Sequence, residues 1–154
     1  MEIKIRRASV EDLKHILHHR LAMFEEMGFR DAGVLDHVEA VSREYFTEAL
    51  PAGTYVGWIA EDTAGQVVGG GGIVVVAWPG YPGEGQAKRA WILNMYTEPE
   101  TRRRGVARRL MQMMVEWCRI EGYGSVSLHA SAAGRPVYES FGFKSTNEMS
   151  RKLA

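Results

Sequence analysis

Thiol chemistry is almost absent from this chain, which holds one cysteine, Cys118. A lone cysteine excludes an internal disulfide framework and points to a reducing, intracellular setting. An excess of charge is missing too. Nineteen Lys and Arg balance nineteen Asp and Glu, which argues against a general nucleic-acid binder, since those normally carry a basic surplus. No apolar run approaches the roughly 20 residues that cross a bilayer, and no charged-then-apolar leader opens the chain. These absences predict a cytoplasmic protein with neither membrane nor nucleic acid as partner. Repeats, low-complexity tracts and dividing linkers are also wanting. The expectation is therefore one domain over residues 1–154, large enough to bury a full core.

What is present is a clear succession of patterned segments. Glu2 to Arg6 alternates and reads as a strand. Ser9 and Asp12 stand in near capping-box relation ahead of a helical pattern of Leu13, Ile16, Leu17, Leu21 and Phe24, which ends near Gly28. A second helix is expected from Leu35 to Leu50, stopped by Pro51. Thr54 to Glu61 and Val67 to Ala77 read as a hairpin turned at Thr63-Ala64-Gly65. Gly69 to Gly72 lies inside the second of these strands. No Lys-Ser/Thr follows it and no helix starts there, so a bulge or a close backbone approach fits better than a phosphate loop.

Pro79 to Gly85 then forms a loop, and Ala90 to Thr97 is a nearly continuous apolar run, as expected of a strand buried on both faces. Val106, Leu110, Met113, Met114 and Trp117 mark an amphipathic helix, with Cys118 on its apolar side as a small core residue. Ser125 to Ala130, Arg135 to Phe141 and Lys144 to Leu153 read as strand, short helix and final strand. The order β-α-α-β-β-β-α-β-α-β is that of a mixed α/β sheet with helices packed on it.

The chemically loaded stretch is Arg102-Arg103-Arg104-Gly105-Val106-Ala107. Three arginines at a helix start oppose the helix dipole, which favours anions at that end. Unpaired amides, a glycine that permits close approach and added cationic side chains together make an anion site. A solvated basic turn is the alternative, and the strongly written strand before and helix after favour the anion site.

The turn has the form Arg-x-x-Gly-x-Ala after Thr97-Glu98-Pro99, and it resembles the acetyl-coenzyme A pyrophosphate loop of the GCN5-related N-acetyltransferases (GNAT). Downstream, Val137-Tyr138-Glu139-Ser140-Phe141-Gly142-Phe143 is similar to that family's closing signature, and Ser125 to His129 to its fifth strand. The resemblance spans Ile92 to Phe143. It implies a mostly antiparallel mixed sheet splayed between the fourth and fifth strands, flanked by about four helices.

It also implies an acetyl-CoA-dependent N-acetyltransferase with acetyl-CoA as co-substrate, no metal, and a small amine as acceptor ahead of a peptide or protein amine. The oligomeric state is left between monomer and homodimer. By the resemblance, Met95, Tyr96 and Thr97 take the pantetheine arm. Arg102, Arg103, Arg104, Gly105, Val106, Ala107 and Arg108 take the phosphates. Tyr138 is the general acid for the departing thiolate. Arg109 is read either as an adenosine-phosphate ligand or as an exposed solubilising residue.

The family's usual base positions on the fourth strand are Trp91 and Leu93 here, and neither accepts a proton. Glu25, Glu26, Asn94 through a water, and His129 remain candidates. His15, His18 and His19 share a helical face as metal ligands do, with no matching carboxylate or thiolate nearby. A non-catalytic acyl-CoA-binding module and a polyanion-binding domain stand as the alternatives.

Overall fold

The computed structural model describes residues 2–154. Strand β1 (Lys4–Arg7) leads to a 3-10 turn at Val10–Asp12 and helix α1 (Leu13–Glu26). The Ser9/Asp12 capping box forms as expected, with the Ser9 amide donating to Asp12 Oδ2 at 2.9 Å. Arg6 clamps the same carboxylate at 2.8 Å and reaches Glu61 on strand β2 (Tyr55–Glu61), so β1 and the start of α1 are tied to the sheet together.

Helix α2 spans Ala32–Ala52 and runs through Pro51 rather than stopping before it. Proline removes one helical donor, and in the final turn that loss is small. The stop comes at Gly53, whose left-handed conformation (φ 77°) closes the helix through bonds back to Ala49 and Leu50.

Strands β2 and β3 (Val67–Ala77) form the expected hairpin, and β4 (Lys88–Thr97), α3 (Val106–Ile120), β5 (Val126–Leu128) and α4 (Arg135–Ser140) follow. The sheet order is β1-β2-β3-β4-β5, antiparallel except for the parallel β4–β5 pair. Helices α1 and α2 bury Ile16, Leu17, Phe46 and Ala49 beside Tyr55 on one face. Helix α3 buries Val106, Leu110, Met111 and Met114 beside Ile73 and Ile92 on the other.

On a helix turning about 100° per residue the buried arc of α3 is centred on Met114. Met111 falls within that arc, and Met113 lies outside it, 43% exposed. Cys118 is buried as expected, and burial pushes its thiol up to about 11, which keeps it unreactive.

Two further expectations fail. The strand over Lys144 to Leu153 is absent: the chain after α4 is irregular, with Met149 and Leu153 fully in solvent. That segment has no alternating apolar face, so nothing anchors it to a core. Strand β4 is not buried on both faces. Ala90, Ile92, Asn94 and Tyr96 are buried, whereas Trp91, Leu93, Met95 and Thr97 are half-buried, because the sheet opens beside them.

Candidate active site

The opening begins with a bulge in β4. Gly72 pairs with Leu93 and Gly70 with Tyr96, so Asn94 and Met95 together oppose Gly71. Asn94 takes a left-handed conformation (φ 61°) to accommodate the extra residue. The bulge re-aims the strand. Leu93 and Asn94 both face α1 and α2, while Met95 packs toward α3.

The glycine run in β3 is the condition for this. A Cβ on Gly72 would lie 2.1 Å from Tyr55 Oη, and one on Gly71 would lie 2.5 Å from Met95 Sδ. Gly69–Gly72 is thus the close backbone approach that its sequence suggests.

Over the bare strand, Tyr55 Oη accepts from Asn94 Nδ2 at 3.1 Å. Arg20 on α1 donates to Asn94 Oδ1 at 2.9 Å and to Ser42 on α2 at 3.0 Å, with its guanidinium over the Phe24 ring. Burial raises the Tyr55 hydroxyl well above its usual range and lowers Arg20. This network binds α1, α2 and the bulge into one unit. Sequence reasoning missed Arg20, Ser42 and Tyr55. The available signal was an asparagine in the middle of an apolar run. Asn94, 4% exposed and already accepting from Arg20, drops out as a candidate base.

Past the bulge β4 has one unpaired edge. Its pairing with β5 ends at Ile92↔Leu128 although β4 continues to Thr97, so the two strands diverge as the resemblance implies. The chain then turns through Pro99–Thr101, held to β3 by Glu98 N–H donating to the Val68 carbonyl at 2.8 Å.

Arg103 (φ 64°) and Gly105 (φ 80°) are both left-handed, and α3 starts with no side-chain cap. Successive turn amides with an uncapped helix start form a concave set of donors suited to an anion. Arg102, Arg103, Arg104 and Arg108 are exposed around it; Val106 is buried beneath it and Ala107 half-buried.

The arginines differ in role. Arg102 donates to the Thr97 carbonyl at 2.8 Å and to Glu26 at 2.5 Å, and its guanidinium lies over Tyr96. Glu26, a candidate base from sequence, is therefore engaged in an ion pair. Glu25 is exposed at the end of α1. Arg108 lies over the Phe141 ring, and Arg109 donates to the Ile3 carbonyl. Arg109 thus fastens the start of the chain, which neither reading of it from sequence anticipated.

The side chain of Tyr96 is buried and stacked on His19, 5.5 Å between ring centroids, so only its backbone faces the opening. The three α1 histidines diverge in role: His19 is buried, His18 pairs with Glu98 at 2.7 Å, and burial lowers His15.

At the divergence point lies a cavity of about 320 Å³, walled by Val74, Val76, Trp91, Ile92 and Leu93, with His129 and Glu148 at its edge. Tyr138, on α4, has its ring against Phe143, and no group among the described residues hydrogen-bonds its hydroxyl. Burial raises its pKa, which keeps the phenol protonated.

A splayed sheet, a bulged fourth strand and an anion-binding turn ahead of the central helix define an acetyltransferase architecture. The chain matches the Acetyltransferase (GNAT) family over residues 16–143 and belongs to it. It is 35% identical to a GCN5-related N-acetyltransferase from Ralstonia eutropha JMP134, covering 99% of both chains with a TM-score of 0.92. A predicted acetyltransferase from Clostridium acetobutylicum, solved with acetyl-CoA, is 26% identical over 99% of this chain and 96% of that one (TM-score 0.88). Glucosamine-6-phosphate N-acetyltransferase from Arabidopsis thaliana shares the fold at 16% identity over 99% of each chain (TM-score 0.68). No curated protein matches the chain.

Proposed function

We propose that the protein moves an acetyl group from acetyl-CoA to the primary amine of a small molecule with an apolar body. The observation that carries this is the unpaired edge of β4. It runs from the cavity at Leu93 to Thr97, directly ahead of the uncapped turn that opens α3. A long ligand with a polyanionic end and a reactive end fits that course.

In this reading the amides from Arg103 to Arg108 hold the pyrophosphate, and backbone groups of Met95, Tyr96 and Thr97 hold the pantetheine arm. The Thr97 carbonyl already accepts from Arg102, so a second ligand on it uses its other lone pair. Arg102 is neutralised in part by Glu26, and the side chains of Arg103 and Arg104 belong to the same turn. Backbone amides beside the bulge polarise the thioester carbonyl. Tyr138, its hydroxyl without a partner among the described residues, protonates the thiolate as the carbon–sulfur bond breaks.

The test is calorimetry with coenzyme A, paired with thiol release from acetyl-CoA across a panel of amines. Gly105→Glu puts a strained side chain and a negative charge where the phosphates sit, so it should abolish coenzyme A binding while the protein stays folded. Undiminished affinity in that variant sinks the loop assignment. Tight binding without amine-dependent thiol release would instead favour a non-catalytic acyl-CoA-binding module.

A further inference from the structure

Resting on that transferase reading, the geometry points to His129, oriented by Glu148, as the group that takes the proton from the acceptor amine, in a cavity suited to an arylalkylamine. Strand β4 supplies no base, because Trp91 and Leu93 occupy the positions beside the opening. Asn94 is enclosed and Glu26 is paired with Arg102. Of the side chains lining the cavity, only His129 and Glu148 can take up a proton.

His129 directly follows Leu128, where the pairing of β5 with β4 ends, so its imidazole stands at the mouth of the splay. The ring lies 5.1 Å from that of Trp91, tilted by 31°. Its Nε2 is 3.3 Å from Glu148 Oε1. Among the described residues Glu148 is the one titratable group within ion-pair distance of it.

A carboxylate on Nε2 fixes the tautomer. Nε2 carries the hydrogen and donates it, which leaves the Nδ1 lone pair as proton acceptor, and the carboxylate then stabilises the imidazolium that forms. In the free protein both side chains are largely in solvent, 77% and 52% exposed, where such a pair is weak. An apolar amine seated against Val74, Val76, Trp91 and Leu93 displaces water from one side, and the pair strengthens as the local dielectric falls. The Trp91 face and the Glu148 carboxylate also attract the ammonium as it enters.

The step balances. An ammonium N–H proton passes to Nδ1 and the freed nitrogen lone pair attacks the thioester carbonyl carbon. Collapse breaks the carbon–sulfur bond and the thiolate takes a proton from Tyr138; the second proton that the nitrogen sheds on becoming an amide returns to the Tyr138 phenolate through water, and His129 gives its own to water.

The experiment measures kcat/KM against pH by thiol release, with acetyl-CoA and 2-phenylethylamine, for wild type, His129→Gln and Glu148→Gln. Coenzyme A affinity is measured by calorimetry on the same preparations. We expect unchanged coenzyme A affinity in both variants. His129→Gln should lower kcat/KM by about 10²–10⁴-fold, and the enzyme ionisation that makes the wild-type rate climb with pH should disappear. Glu148→Gln should produce a smaller fall in kcat/KM than His129→Gln.

A His129→Gln protein with the wild-type rate and the same acid limb overturns the assignment. So does a wild-type protein that binds coenzyme A yet releases no thiol with this amine. Wild-type protein that fails to bind coenzyme A overturns the transferase reading beneath it.

Discussion

Tyr138 shows how a single hydroxyl's surroundings separate two roles. Its ring packs beside Phe143, while its oxygen bonds to no group among the described residues. Removing the oxygen therefore forfeits no internal hydrogen bond, which would ordinarily be worth about 0.5–1.5 kcal/mol. Tyr138→Phe should leave the melting temperature and the coenzyme A affinity essentially unchanged. If the phenol is the proton donor, kcat should fall by about 10²–10⁴-fold. Turnover and melting measured on one preparation decide the matter, and full activity would show that the thiolate leaves unaided. The contrast with Tyr55 is instructive. That hydroxyl is wholly buried, bonded to Asn94 and held edge-on against Phe46 at 4.7 Å, so it belongs to the scaffold.

At the scale of elements, the bulge of β4 and the glycine run of β3 are two halves of one device. The bulge places Leu93 and Asn94 on the same side, and the bare backbone of β3 lets Tyr55 cross to hold Asn94. Gly72→Ala tests the pairing. Its new Cβ would fall 2.1 Å from Tyr55 Oη, inside a buried aromatic pair, so Tyr55 must move or the strands must part. Overpacking of this kind costs about 1–3 kcal/mol, read as a lowered urea midpoint with an unchanged slope. Gly65→Ala is no control, because its φ of 80° strains any side chain. Gly85→Ala is the proper one, since nothing lies within 4 Å of its would-be Cβ. Equal midpoints for Gly72→Ala and Gly85→Ala would refute the coupling.

For the whole molecule, the joint between α1 and the sheet is sensitive to acid. His19 is 2% exposed, stacked on Tyr96, and pressed against Gly70. Burial, then the nearby His18 and His15, lowers its pKa to about 4. An unfolded histidine titrates near 6.5, so between those values the unfolded chain binds the extra proton. Its contribution is complete above pH 6.5 and is lost as pH falls toward 4. Over pH 7 to 5 the loss should be on the order of 2 kcal/mol. His15, lowered by the same cause, acts in the same direction. His19→Leu should flatten the profile, and urea titrations at the two pH values measure it. An equal slope in wild type and variant would place the acid sensitivity elsewhere.

The sequence by itself determined the elements whose physics is local. The capping box at Ser9 and Asp12, the hairpin at Thr63 to Gly65, and the turn into α3 at Gly105 follow from short-range bonding and backbone freedom. The three arginines and Tyr-x-x-x-Gly-Phe were legible because their spacing is short. Tertiary structure decided the rest, because it depends on what distant segments bring. Pro51 stayed within α2 because the helix end was set by Gly53. The segment after α4 formed no strand because it offered no face to bury. Arg109 found the Ile3 carbonyl 106 residues away, and Arg20 found Asn94 across 74. The meeting of His129 with Glu148 and Trp91 at the mouth of the splay is the same kind of fact. No periodicity records it, since it comes from where β5 stops pairing and where the irregular tail lies.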